Sequence, residues 1–174
     1  IARKGDLQLT LNRQTNDGPH IAFYRSGGDK SYISTRSNAF CIDVGGTSER
    51  LRIDDRGDVY VAGVNALTSP YSSFNYLSLG NNLILSAYTG GNGGFAGMQH
   101  NAYVNSSGNW TYVYNDHATS FGSDDGNFYF RAAAAGTGTI SWSNRLTIDS
   151  SGRLLVNGAS SSQAFSGGDD LIIG

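Results

Sequence analysis

At 174 residues and a net charge of −2, the chain has neither the basic stripe that phosphates require nor an apolar run near the ~18 residues of a membrane-spanning helix. Its 38 Leu, Ile, Val and Phe sit close to the level at which chains stay disordered, yet ten Tyr, eight Phe and two Trp argue against disorder. Such a composition describes a folded chain that buries little apolar surface alone and would need a partner, most simply copies of itself, to complete a core.

Taken in chain order, nearly every readable segment has period two, the signature of strands. Leu7, Leu9 and Leu11 alternate with polar residues, as do Ile21 with Phe23, and Phe40 with Ile42 and Val44. Cys41 falls opposite that last apolar trio, so a buried role is expected for it, and a lone Cys excludes an intrachain disulfide framework. Leu51 and Ile53 then lead into a turn over Asp54 to Gly57, and Val59 with Val61 alternate on the return: a hairpin. Gly57 supplies the positive φ that a turn of this length needs.

Residues 64–75, polar and containing Pro70, read as a connector. Alternation resumes at Leu77 and Leu79, then Leu83 and Leu85, followed by a Gly-rich loop from Thr89 to Gly94. That loop lacks the Lys and the strand-to-helix setting of a phosphate loop. Trp110, Tyr112 and Tyr114 share a predicted strand face, with Tyr103 nearby; the set could stack on sugar rings or line the inside of a sheet. Phe128 and Phe130 continue the pattern, so the helix-prone Arg131 to Ala135 run is read as strand or loop.

A second hairpin closes the pattern. Arg50, Leu51, Ile53, Asp54, Gly57, Val61 and Gly63 recur, 95 positions later, as Arg145, Leu146, Ile148, Asp149, Gly152, Val156 and Gly158. In the second copy Leu154 takes the place of Val59. The chain therefore divides into a β-module over 1–63, a connector over 64–75, a second module over 76–158, and a connector with the start of a third module over 159–174. Asp169 to Gly174 reads as that third module's first strand, and Ile1 at the start suggests a fragment or a processed piece.

Thr139 to Gly158 resembles a phrase of the tail-fibre proteins of tailed bacteriophages, particularly marine and cyanobacterial ones; so do Asn101 to Tyr112, Thr47 to Asp54 and Leu9 to Arg13. Asn144 stands where those fibres usually carry Glu, whereas Glu49 keeps it. The resemblance implies an all-β, elongated, intertwined homotrimer on the virion, joined to other tail proteins and serving host attachment. In that arrangement Leu51, Ile53, Val59, Val61, Leu146, Ile148, Leu154 and Val156 would pool into an axial trimer core. Host surface polysaccharide is the expected ligand, with Tyr103, Trp110, Tyr112 and Tyr114 as candidate contacts.

No enzyme, cofactor or metal site is expected. The chain has a single Glu, Glu49, and its paired acids Asp54–Asp55 and Asp124–Asp125 are adjacent, an arrangement that suits turns better than glycosidase chemistry. Asp124 to Asn127 lacks the spacing of a calcium loop, and His20, His100 and His117 lie far apart. Two alternatives stand beside the fibre reading: a polysaccharide depolymerase module, and a compact monomeric carbohydrate-binding module.

Overall fold

The computed structural model describes residues 11, 16–45, 48–62, 67–80, 82–91, 94–156 and 172–173. The strand expected around Leu7 and Leu9, and all of 157–171, lie outside the described residues. Within them the chain is all-β, with no helix. The strands are β1 (Gly18–Arg25), β2 (Gly28–Arg36), β3 (Ala39–Val44), β4 (Glu49–Ile53), β5 (Val59–Val61), β6 (Phe74–Leu79), β7 (Leu83–Tyr88) and β8 (Ala96–His100). They continue with β9 (Ala102–Val104), β10 (Trp110–Tyr112), β11 (Asp116–Asp124), β12 (Asn127–Gly136), β13 (Ser143–Ile148), β14 (Leu154–Val156) and β15 (Ile172–Ile173).

Thirteen of these join one sheet in the order β1 to β8, then β11 to β15, while β9 and β10 pair separately. All neighbours are antiparallel except β5–β6 and β14–β15. These two exceptions are the same step repeated: each hairpin hands over to a parallel strand, with Val61 opposite Leu79 and Val156 opposite Ile173. The sheet runs without interruption from the first module into the second. The stretch expected as a polar connector enters β6 at Phe74, and before that Leu67 is buried and Pro70 bridges to Asn105. Arg131 to Ala135 lies in β12, where pairing with β11 outweighs the helix propensity of alanine.

The two repeated turns are locked alike. Asp54 Oδ1 accepts from the N–H of Arg56 and of Asp58, and Asp149 Oδ1 from those of Ser151 and Arg153. Gly57 and Gly152 close the turns at φ of +86° and +81°, a region that costs a side chain strain.

Among the described residues only one face of the sheet is covered. Tyr60, Tyr76, Ile84 and Phe74 on that face meet Leu67, Phe95, Tyr103 and Val104 from the overlying segments, forming the main core. Ala118 and Ala133 meet Ala102 and Ile140 in a smaller one, and Trp110 packs against both. Cys41 lies on this covered face, fully buried. Gly97 and Gly122, opposite each other on β8 and β11, leave the space that the Phe95 ring fills; a Cβ at Gly122 would stand 2.4 Å from it.

The other face stays open and apolar. A single file of directly paired side chains crosses ten strands: Phe40, Ile53, Val59, Leu77, Leu85, Met98, Phe121, Phe130, Leu146 and Val156. At the usual spacing between strands it is roughly 43 Å long. Beside it runs Ile33, Ile42, Leu51, Val61, Leu79 and Leu83. The eight hairpin residues expected to point inward thus belong to the open face. Within one chain Leu51, Val59, Val61, Leu146, Leu154 and Val156 are half-buried by strand neighbours, and Ile53 and Ile148 are exposed. What the chain encloses on its covered face at the hairpins is Tyr60 and Leu155.

Candidate functional site

The four aromatic residues considered for glycan contact separate in the structure. Tyr103 is buried, and its hydroxyl donates to the carbonyl of Thr68 at 2.8 Å. Trp110 is half-buried and meets Phe74, Phe95 and Trp142 edge-on, with ring centroids 5.0–6.4 Å apart. Tyr112 donates its hydroxyl to Ala134 O at 2.6 Å. These three bind the covering layer to the sheet.

Tyr114 differs, because the strand stops before it. β10 ends at Tyr112, so the expected shared face of residues 110, 112 and 114 is not continued to the third. The cause is Asn101, which is buried in the left-handed region at φ +57°. Its Oδ1 accepts from the N–H of Tyr114 at 2.8 Å, and its Nδ2 donates to the carbonyls of Tyr114, Asp116 and His117 at 3.0–3.1 Å. One amide therefore holds the whole 114–117 segment in a fixed bend and leaves the Tyr114 ring 43% exposed.

That bend borders a recess of about 460 Å³ lined by Asn82, His100, Asn101, Tyr114, Asn115 and Asp116. Asp116 is held below the usual carboxylate range, first by the His117 backbone N–H at 2.7 Å and then by the His117 ring at 3.3 Å. An ionised carboxylate, planar amides, an imidazole and an exposed phenol together suit a ligand rich in hydroxyl groups. No local pattern marks Asn82, Asn101 or Asn115, since the recess joins the β7–β8 end of the sheet to the bend after β10.

The open apolar face has relief of its own. A recess of about 450 Å³ lies around Leu85, Met98, Phe121 and Phe128, and another of about 390 Å³ around Leu83, Met98, Phe121 and Phe130. Both flank the ten-strand file, so it presents holes as well as knobs.

No protein-family model, curated protein or solved structure matches this chain. Its chemistry has to be read from its own residues.

Asp43, Glu49 and Asp58 serve structure. Asp43, fully buried, pairs with Arg36 at 2.9 Å and accepts from Ser34 at 2.8 Å. Glu49 accepts from the Cys41 thiol and faces Arg52 at 3.5 Å. Asp58 accepts from the Tyr76 N–H, and burial raises its pKa. Next to it Arg56 donates to the carbonyls of Pro70, Tyr71 and Phe74, tying the first hairpin to the segment that follows. Asp124 and Asp125 flank the tight β11–β12 turn, with Asp125 and Gly126 both at positive φ. Among the described residues no three His, Cys, Asp or Glu side chains gather as metal ligands.

Proposed function

We propose that this chain is a structural segment of a bacteriophage tail fibre, in which three copies share an axial apolar core and the assembly serves attachment to a bacterial surface. One observation carries the reading: the unbroken apolar file across ten strands of the sheet. Phe40, Met98, Phe121 and Phe130 are each more than 40% exposed in the single chain. Summed along the file this is roughly several hundred Å², at or beyond the largest apolar patch of an ordinary monomer.

The occupant that fits is the chain itself. The file passes through both repeats, so any cover must match the whole repeating length, and a second copy does so by construction. Three stripes around one axis would enclose each other, as the resemblance of Thr139 to Gly158 to fibre repeats implies. In this reading the protein is a non-enzymatic spacer, and the Tyr114 recess, which meets the edge of the open face at His100, is the place where surface polysaccharide makes contact.

Sedimentation equilibrium tests the assembly. The expected mass is three times the 18.5 kDa of the chain, and a well-folded monomer would sink the proposal. Retention on immobilised bacterial polysaccharide, lost in Tyr114→Ala but kept in Trp110→Phe, is the expected outcome for the contact.

A further inference from the structure

We propose that Arg131 lies at the centre of an internal binding site for a small inorganic anion of halide type. Arg131 projects from β12 into the covered side of the sheet, where its guanidinium carbon lies 4.7–4.9 Å from the ring centroids of Phe95, Trp110 and Trp142. Three aromatic faces favour a cation there but accept no N–H in the strong sense. Neither Nε nor Nη2 has a hydrogen-bond partner, and no carboxylate among the described residues forms an ion pair with it.

Its neighbours are in the same condition. Ser120 is directly opposite Arg131, and Gln99 is directly opposite Ser120, so the three form one cross-strand row. Gln99 is fully buried; its Oε1 is taken by the Ser86 hydroxyl at 2.8 Å, which leaves its Nε2 without a partner. Ser120 Oγ and Trp142 Nε1 are also buried and unpartnered. A row of unmet N–H donors beside a buried positive charge calls for an acceptor that is itself negative. A water molecule could accept from these groups, but it would leave the charge without an ion-pair partner, Asp124 acting on it only at longer range, and among them only Ser120 Oγ could take up its protons.

The two repeats sharpen the point. Each has an irregularity at the same step: Ile42 and Asp43 face Leu51 and Glu49, and Phe130 and Arg131 face Leu146 and Asn144. In the first repeat the position of Arg131 is held by Asp43, which has its own cation in Arg36. The second repeat reverses the sign of that residue, and opposite it has Asn144 in place of the Glu49 carboxylate. The counter-charge that the repeat could supply is absent, and a free anion replaces it.

Trp110 and Trp142 are the chain's two tryptophans, and both rings contact Arg131, so intrinsic fluorescence reports on this site. Titrating the intact protein with bromide or iodide, with gluconate, too large for the site, holding the ionic strength constant, is expected to give saturable quenching. Arg131→Met should leave only linear collisional quenching. Gln99→Leu, which retains the cation and the rings, should weaken the apparent affinity by roughly tenfold; it decides the question if Arg131→Met does not fold. Linear quenching in the native protein, or an affinity unaltered by Gln99→Leu, overturns the proposal. So does a bromide-soaked crystal with only an ordered water, and no anomalous peak, beside Arg131.

Discussion

Cys41 is the residue whose chemistry its surroundings alter most plainly. It is fully buried and donates to Glu49 Oε2. Burial first, and then the hydrogen bond and charge of Glu49, push its thiol up from 9.0 to about 11. Between those values the folded chain holds a proton that the unfolded chain releases, so folding stability falls as pH rises through the window. For a difference of this size the loss between about pH 8.5 and about pH 10 is about 1 kcal/mol. Urea unfolding at the two pH values checks it. In Cys41→Ser, which keeps a donor to Glu49 but does not titrate there, the slope should flatten; an equal slope in both proteins would rule out Cys41 as its source. Tyr60 and Tyr76, also raised by burial, act in the same direction at higher pH.

The hairpin is the unit that the chain repeats, and its turn depends on a single side chain. Asp54→Ala removes two backbone hydrogen bonds at 3.0 Å and should cost about 2 kcal/mol. Asp54→Asn, whose amide oxygen can accept both, should cost much less, as thermal melts of the two variants would reveal. Equal losses in the two would mean that the carboxylate's charge, not its oxygen geometry, holds the turn. The motif was legible because Asp, Gly and the alternating Leu, Ile and Val carry local information: a turn and two faces. Alternation does not say which face is covered, and here Leu51, Ile53, Val59 and Val61 lie on the open one while Tyr60 lies beneath Leu67 and Tyr103. That choice depends on segments without period, 67–73 and 137–142, which no pattern identified. Tyr114 departed from its expected strand for a related reason, since its N–H is captured by an amide 13 residues earlier. Arg131, Ser120 and Gln99 meet only through register.

At the scale of the whole molecule, the sheet is built to be extended. Each hairpin passes to a parallel strand in the same register, and the apolar file crosses both hairpins, at Ile53 and Val59 in the first and at Leu146 and Val156, the counterparts of Leu51 and Val61, in the second. The file is therefore the property on which assembly should depend, and its centre is the place to break it. Phe121 is 41% exposed in the chain and packs against Phe130, the two rings tilted by 31° with centroids 4.7 Å apart. In the proposed trimer Phe121→Arg would give up on the order of 2 kcal/mol of apolar burial per chain and bring three like charges to one axis, whereas the single sheet can leave the new side chain in water. Tyr24 is a fitting control: it is 67% exposed, on the edge strand β1, and off the file. Sedimentation should find Phe121→Arg shifted toward the monomer mass, or melting well below the native assembly, with Tyr24→Arg unchanged in both. If Phe121→Arg keeps native mass and melting temperature, the file faces solvent in the assembly and the shared axial core is wrong.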